Sequence, residues 1–301
     1  MNITKCICKG NEHTIIDRYQ SVQCKTCLNF MHLICYDLPP YDDRTRNFEC
    51  ILCRVQNCDP FSEITQILIK PFILPSNHQK VELNEYFALT KPQVEDLLQE
   101  RIFLMIFCTK IKIQNEDDFP YEWPASEGIS IIYNGKLMPA YHIYYPLFVQ
   151  ASQEDPPFHI GSNSLLIKLP KENKETLYPK SVLGVCIIRK KDIKEVAKEL
   201  AKKNPLTIVE AKNKFESMKQ KDLEILTSFP IRDPITTQLL FVPSRGIKCK
   251  HLSCFDLMNL LKFNAYNQTP LRWKCPICRK QVLMNELVID LHLHGILKVF
   301  L

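Results

Sequence analysis

Cysteine and histidine pairs near the start of this 301-residue chain are spaced as metal ligands. The pairs are Cys6 and Cys8, Cys24 and Cys27, His32 and Cys35, and Cys50 and Cys53. Thiolate and imidazole groups at such short separations can hold zinc tetrahedrally, and eight ligands suffice for two sites. Disulfides are the alternative for a chain with 14 cysteines, but the opening MNITKCICKG has no basic segment followed by an apolar core. The sequence therefore predicts no secretory signal, a reducing compartment and zinc rather than disulfides.

A second group lies near the end of the chain. Its members are Cys249, His251, Cys254, Cys275 and Cys278. A full RING needs eight ligands for two zinc ions, but here Phe229-Pro230-Ile231 stands where the opening cysteine pair would be. One site can form, from Cys249, His251, Cys275 and Cys278. Cys254 is predicted to be a buried thiol near Phe229.

Other chemistries have no pattern to support them. Seven glycines argue against a loop that cradles a nucleotide, and the middle of the chain carries neither paired catalytic carboxylates nor a Ser/His/Asp order. The cysteines outside the ligand sets are Cys58, Cys108, Cys186 and Cys254, and none has a neighbouring histidine in a recognisable motif. We therefore predict no covalent catalytic residue.

The middle of the chain has the alternation of β-strands. Ile102, Leu104 and Ile106 would face one way in an extended chain, and Asn134-Gly135 is a strong hairpin signal. Short strands separated by turns predict an antiparallel sandwich or barrel. Hydrophobic residues make up 46% and charged residues 24%, as in folded soluble proteins, and no apolar run reaches the ~18–20 residues of a membrane span.

A basic, helical connector follows the predicted strands. Residues 189–221 contain eleven Lys/Arg and five Asp/Glu, an excess of six that equals the net charge of +6. Helical spacing from Ile193 to Leu200, and a capping box of Thr207 and Glu210, predict two helices. The charge indicates either a solvated helical face or a patch for nucleic acid or an acidic partner. Phe215 is the one aromatic residue among these lysines, whereas a single-strand binder would require several that interleave with them.

The N-terminal ligand order, C4HC3, resembles a PHD finger, in which the histidine is fifth. The resemblance implies interleaved pairs: Cys6, Cys8, His32 and Cys35 hold one zinc, and Cys24, Cys27, Cys50 and Cys53 hold the other. Many PHD fingers read methyl-lysine on histone tails, and Phe30 and Tyr19 could supply aromatic walls. Lys25 stands where tail-binding fingers often place an acid. A structural or protein-docking finger and a methyl-lysine reader therefore both stay open.

The C-terminal group resembles the SP-RING of Siz/PIAS SUMO ligases. The match includes Cys249-x-His251-Leu-x-Cys254-Phe-Asp-Leu, Trp273-x-Cys275-Pro276-x-Cys278 and a final Leu287-Val-Ile-Asp290. The resemblance implies a surface for the SUMO-conjugating enzyme that is formed by Ile231, Pro276 and Trp273, with Trp273 packed between the loops. It also implies catalysis by orientation of a SUMO thioester, with no covalent ligase intermediate.

The segment between the two groups resembles a PINIT domain, through Tyr121-Glu-Trp123-Pro, Asn134-Gly135 and Gly161-Ser-Asn163. We expect an α+β multidomain chain: a PHD finger with two zinc ions (1–56), a β-sandwich-like PINIT domain (57–190), a helical connector (191–221) and an SP-RING with one zinc (222–301). The resemblance implies a nuclear ligase that binds three zinc ions. Its implied partners are SUMO, the SUMO-conjugating enzyme and protein substrates, and whether it also binds histone tails stays open. A chromatin-binding adaptor without ligase activity and a ubiquitin ligase are the alternatives.

Overall fold

A computed structural model of the chain describes residues 6–8, 20–39, 43–75, 81–111, 121, 123, 129–138, 145–151, 157–169, 180–203, 205–219, 231–266, 273–282 and 284–300. The chain divides into two compact units, which we describe separately. The first unit is Met1–Gln56 with Ser62–Lys190, and the second is Asn57–Phe61 with Lys191–Leu301. Among the described residues, no helix has the length and apolar character needed to cross a bilayer.

In the N-terminal finger, residues 6–56 of the first unit, the described residues form short elements. Its elements are strands β1 (Ser21–Gln23) and β2 (Phe30–His32), short 3-10 helices at Ile34–Tyr36 and Asp43–Asn47, and helix α1 (Ile51–Cys58). The two strands form an antiparallel pair in which Val22 lies opposite Met31. Tyr36 and Phe48 are both buried and meet edge to face, with ring centroids 4.8 Å apart. A module of this size buries too little apolar surface to fold without further cross-links.

In the rest of the first unit, the described residues form two four-stranded sheets and one helix. The strands are β3 (Ser62–Ile73), β4 (Val81–Leu89), β5 (Phe103–Lys110), β6 (Ser130–Tyr133), β7 (Lys136–Leu137), β8 (Leu147–Val149), β9 (Gly161–Leu169) and β10 (Ser181–Lys190), and helix α2 is Lys91–Leu98. The strand orders are β3-β10-β5-β8 and β4-β9-β6-β7, and the paired strands are antiparallel. The predicted α+β architecture with antiparallel sheets is confirmed.

Both sheets contribute to a single apolar core. Leu104 and Val185 from one sheet lie in the same buried cluster as Leu165, Ile167 and Ile131 from the other. The predicted alternation in β5 is confirmed, because the cluster takes every second residue of that strand. The predicted hairpin at Asn134-Gly135 is also confirmed: both residues have positive φ, +46° and +81°, as a type I′ turn requires.

The N-terminal finger contacts the sandwich within the first unit. The guanidinium of Arg54 on α1 donates hydrogen bonds to the main-chain carbonyls of Lys110 and Ile111, both at 3.1 Å. The hydroxyl of Tyr121 donates to the carbonyl of Val55 at 3.3 Å. These contacts join the ends of β5 and α1 across more than fifty residues of sequence, so the finger and the sandwich form one compact unit.

The second unit combines a small sheet with four helices. Its elements are α3 (Ile193–Lys203), β11 (Pro205–Leu206), α4 (Ile208–Lys219), β12 (Pro243–Gly246), β13 (Phe255–Asp256), α5 (Leu257–Tyr266), β14 (Leu287–Asp290) and α6 (Leu291–Phe300). The strand order is β11-β14-β12-β13, with β11 parallel to β14. The predicted capping box is present: Thr207 Oγ1 accepts from the Glu210 amide at 3.2 Å, and the Thr207 amide donates to Glu210 Oε2 at 3.0 Å.

The connector helix α3 is part of the core of the second unit. Val196 and Leu200 of α3 are 1% and 5% exposed and share a buried cluster with Leu260 and Leu261 of α5. Phe61, from the short segment Asn57–Phe61, lies in the same cluster and stacks on Trp273, with ring centroids 5.8 Å apart. Residues distant in sequence thus support the C-terminal ligand group.

Candidate zinc centres and docking loops

Three groups of four Cys/His ligands come together in the structure. They are Cys6, Cys8, His32 and Cys35; Cys24, Cys27, Cys50 and Cys53; and Cys249, His251, Cys275 and Cys278. In each group the ligand atoms lie within 4.8 Å of one another. Tetrahedral zinc, with Zn–S of about 2.3 Å and Zn–N of about 2.0 Å, would hold two sulfurs ~3.8 Å apart and a sulfur and a nitrogen ~3.5 Å apart.

The measured separations in the finger match those values. In the first group, Nδ1 of His32 lies 3.4 Å from Cys6 Sγ, 3.5 Å from Cys8 Sγ and 3.7 Å from Cys35 Sγ. In the second group, Sγ of Cys27 lies 3.8 Å from Sγ of Cys50. Both groups fit zinc, and each is able to bind one ion.

The β1–β2 hairpin explains how the finger positions its ligands. Cys24 directly follows β1 and His32 ends β2, so the two ends of one hairpin serve different groups. Leu28 has φ of +59° in the turn between the strands, and its amide donates to the carbonyl of Cys24 at 2.9 Å. Two zinc ions held in this interleaved way would cross-link segments that the small apolar core cannot hold together.

The grouped thiols cannot all ionise without a cation, because adjacent thiolates repel. A hydrogen bond from Cys53 lowers the pKa of Cys50 to about 6, while the same contact raises the pKa of Cys53. In the third group, a hydrogen bond from Cys249 lowers the pKa of Cys275 to about 3 and raises that of Cys249. Zinc would replace the retained protons and stabilise all the thiolates at once.

The third group, in the second unit, has a fixed histidine tautomer. Sγ of Cys249 lies 3.8 Å from Sγ of Cys278, and Nε2 of His251 lies 3.2 Å from Sγ of Cys275. Nδ1 of His251 lies 2.8 Å from the carbonyl oxygen of Ser253. A ring nitrogen beside a carbonyl must donate, so the proton is on Nδ1 and the lone pair of Nε2 is directed to the metal site.

Gly246 is a residue that the sequence analysis did not single out. A Cβ on this residue would lie 2.9 Å from Cys249 Sγ and 3.0 Å from Cγ2 of Val282. The Cys249 amide also donates to the Gly246 carbonyl at 3.0 Å. Glycine is therefore required by the close approach of the ligand. In the sequence, the position of this glycine three residues before the ligand Cys249 was the feature that could have indicated the close contact.

Two buried carboxylates, those of Asp233 and Asp256, hold the loop at 231–242 in place. Asp233 is 1% exposed; its Oδ2 accepts from Thr236 and from Asn259 Nδ2 at 3.0 Å, and its Oδ1 accepts from the Asp256 amide at 2.9 Å. Asp256 in turn accepts from the amides of Phe241 and Val242, both at 2.8 Å. Hydrogen bonds to Asp233 and Asp256 thus support the loop at 231–242. Neither aspartate was predicted to have this role.

Cys254 is buried, as predicted, and lies outside the three ligand groups. It is 1% exposed, and its sulfur accepts a hydrogen bond from Arg245 Nη2 at 3.2 Å. The same nitrogen forms a buried ion pair with Asp290. Phe229, its predicted neighbour, lies outside the described residues.

The residues expected to contact a conjugating enzyme differ in exposure. Ile231 is 41% exposed, and its carbonyl accepts from the Leu240 amide at 2.9 Å, so it begins a hydrogen-bonded loop. Pro276 is partly exposed in the turn that carries Cys275 and Cys278. Trp273, in contrast, is 6% exposed and packs against Phe61, so its side chain supports the ligand loop from inside rather than offering surface.

Only one of the two aromatic residues that could enclose a methyl-lysine in the finger is among the described residues. Phe30 is partly exposed at the start of β2, while Tyr19 lies outside the described residues. Lys25 is exposed in the turn between Cys24 and Cys27.

Comparisons with known proteins agree with this geometry. Residues 230–281 match the family model of the MIZ/SP-RING zinc finger. Zinc finger MIZ domain-containing protein 1 of Homo sapiens is 40% identical over 67 residues, which cover 22% of this chain and 6% of that protein. E3 SUMO-protein ligase PIAS2 of Homo sapiens is 26% identical over 253 residues, which cover 77% of this chain and 40% of that protein.

The fold also has a counterpart among solved structures. The crystal structure of the S. cerevisiae SUMO E3 ligase SIZ1 superposes with a TM-score of 0.54 at 16% identity, covering 80% of this chain and 85% of that chain. The present chain spans less than half the length of the two human relatives. In its fold and in its C-terminal sequence, the chain is similar to the Siz/PIAS-type SUMO ligases, and residues 230–281 match the MIZ/SP-RING zinc-finger model.

Proposed function

We propose that this chain is a SUMO ligase that binds a SUMO-charged conjugating enzyme through its SP-RING and promotes transfer of SUMO to substrate lysines. The ligase forms no covalent intermediate: each ligand cysteine is used in a closed four-ligand group, which leaves no open coordination position for chemistry. Rate enhancement comes from holding the thioester and the acceptor lysine in attack geometry.

The observation that carries the proposal is an SP-RING loop that is held by buried hydrogen bonds and begins with an exposed apolar side chain. Asp233 and Asp256 fix the loop through main-chain hydrogen bonds, and Ile231 at its start is 41% exposed. An apolar side chain on a loop held by hydrogen bonds loses little conformational entropy on docking, which favours a protein partner. The partly exposed Pro276, in the zinc-supported turn, is the second proposed contact.

The other regions have supporting roles in this proposal. The sandwich, residues 62–190, helps to select substrates, which would be nuclear proteins. The finger, which packs on the sandwich through Arg54, would act as part of the same substrate-selecting unit. Its partly exposed Phe30 leaves a methyl-lysine tail as one substrate feature that it could recognise.

A reconstituted conjugation assay tests the proposal. The full chain is added to purified SUMO, its activating and conjugating enzymes and a lysine-containing acceptor, with the ubiquitin enzymes in parallel reactions. We expect faster SUMO transfer with the wild-type chain and none of that acceleration with Cys275→Ser, which removes one ligand of the third group. Cys254→Ser is the matched control, because Cys254 belongs to no ligand group. Acceleration of ubiquitin transfer alone would indicate a ubiquitin ligase, and no acceleration of either would indicate an adaptor.

A further inference from the structure

A stripe of three lysines follows the exposed side of helix α3. Lys194, Lys198 and Lys202 are all exposed and recur at every fourth position. At 3.6 residues per turn, their centre lies about 160–200° around the helix from Val196 and Leu200. Because those two residues are 1% and 5% exposed in the core of the second unit, the helix is anchored on one side and the lysine stripe faces solvent on the other.

One acid of the same helix, Glu199, is directed away from the stripe. Glu199 accepts from Lys191 Nζ at 2.7 Å, and the side chain of Lys191 is only 9% exposed. The carboxylate of Glu199 is thus directed to the lysine that precedes the helix, rather than to Lys198 or Lys202. In the part of the chain that the structure describes, no ion pair involves any of the three stripe lysines.

The distribution of charge along the sequence also indicates that the segment containing helix α3 is the basic part of the chain. Residues 189–221 carry the whole net excess of six positive charges, and α3 carries three of its lysines on one exposed line. Successive stripe lysines are ~6 Å apart along the axis, so the stripe is ~12 Å long. Double-stranded DNA presents one negative charge per ~1.7 Å of its axis, so each lysine can reach a separate phosphate.

We propose that the Lys194–Lys198–Lys202 stripe binds the sugar-phosphate backbone of duplex nucleic acid without reading its sequence. Lysine is a point charge with no planar fork for base edges, and helix α3 carries no arginine. No aromatic residue interleaves with the lysines to stack unpaired bases, so a duplex is favoured over a single strand. In the context of the proposed ligase, such binding would bring the enzyme to substrates that are themselves on nucleic acid.

The test measures the salt dependence of binding to a fluorescent 20-base-pair DNA duplex of arbitrary sequence. The full chain is compared with a stripe variant, K194Q/K198Q/K202Q, and with a matched control, K25Q/K91Q/K136Q. The control removes the same charge from three exposed lysines of the first unit. Glutamine is a good helix former, so the stripe variant should fold, and equal melting temperatures and zinc contents of the three proteins verify this.

Each lost phosphate contact lowers the slope of log affinity against log salt by ~0.9. We therefore expect weaker binding by the stripe variant and a slope smaller by about 2.7, with the control slope unchanged. Equal slopes for the stripe variant and wild type, or an equal loss in both variants, would overturn the proposal. Tighter binding to the single strand than to the duplex, or stripe-dependent binding of polyglutamate but not DNA, would overturn the assignment to duplex nucleic acid.

Discussion

Arg245 and Asp290 form a buried ion pair that joins β12 to the end of β14, with side chains 2% and 4% exposed. Arg245 Nη2 also donates to Cys254 Sγ at 3.2 Å, and Asp290 Oδ1 accepts from the Leu293 amide at 3.0 Å at the start of α6. The pair therefore connects the strand that precedes the third ligand group with the last helix. Arg245 Nη1 also donates to the His251 carbonyl at 3.4 Å, so each charge is compensated by the other and by hydrogen bonds to neighbouring groups.

Removing one partner of this pair should be strongly destabilising. Arg245→Met leaves the Asp290 carboxylate buried without its counter-ion, which costs about 3–5 kcal/mol. Asp290→Leu likewise leaves the Arg245 guanidinium buried without its counter-ion and should reduce the free energy of unfolding by a similar amount. The double variant removes both charges, so its free energy of unfolding should be closer to wild type than either single variant. Denaturant unfolding of the four proteins measures this; additive losses in the double variant would contradict the pairing.

Zinc content is the second prediction. Three four-ligand groups lead us to expect three zinc ions per chain by elemental analysis. Cys275→Ser should lower the number to two, because a hydroxyl is a poor replacement for a thiolate ligand. Cys254→Ser should retain three. Any other count for the wild-type chain, or a loss of zinc from the Cys254 variant, would show that the ligands are wrongly assigned.

Gly246 should control the third zinc site without being a ligand. In Gly246→Ala the new Cβ would lie 2.9 Å from Cys249 Sγ, so the sulfur must shift and the site should release zinc to a chelator sooner than wild type. Gly295→Ala is the matched control: it has no atom within 4 Å of the new Cβ and lies in helix α6. The control should be more stable by about 0.5–1 kcal/mol, from helix propensity. Equal zinc release by both variants would mean that the contact at Gly246 is tolerated.

Ile231 should contribute to docking rather than to stability. Ile231→Ala is expected to weaken binding of the conjugating enzyme by about 1–2 kcal/mol, roughly five- to thirtyfold, at an unchanged melting temperature. Ile296→Ala is a matched control in the same unit, because Ile296 on α6 is 40% exposed and Ile231 is 41% exposed. Calorimetric titration gives the affinities. A stable Ile231 variant with wild-type affinity, or the same loss in the Ile296 variant, would remove Ile231 from the interface.

Arg54 should couple the finger to the sandwich. Arg54→Met removes the hydrogen bonds to the carbonyls of Lys110 and Ile111, and a charged donor is worth about 1.5–3 kcal/mol. Faster hydrogen exchange is expected in α1 and near the end of β5, with zinc content unchanged. Arg46→Met is the control, because Arg46 pairs with Asp43 on the surface, with side chains 82% and 89% exposed. If hydrogen exchange rose only around residue 54 and not near the end of β5, the Arg54 contact would not be what holds the finger on the sandwich.

Local patterns in the sequence predicted local structure. The hairpin at Asn134-Gly135 needs only two residues that accept positive φ, and the capping box of Thr207 and Glu210 closes within one helical turn. In β5, alternate residues from Leu104 onwards join one apolar core, although Met105 and Phe107 between them are buried as well. Short-range rules are sufficient in these places because the partners are at most a few residues apart.

The sequence by itself also determined which residues could bind zinc, because short Cys/His spacing constrains two ligands to one ion. The resemblance to a PHD finger implied that Cys24 and Cys50 share a site, and the structure brings them together. Only the tertiary structure decided which side chains support the ligand groups. Arg54 contacts carbonyls more than fifty residues away, Arg245 and Asp290 lie 45 residues apart, and the connector helix α3 packs into the core of the second unit. Contacts of this kind depend on how whole elements pack together, and the periodicity within one element shows which face is buried but not which other element covers it.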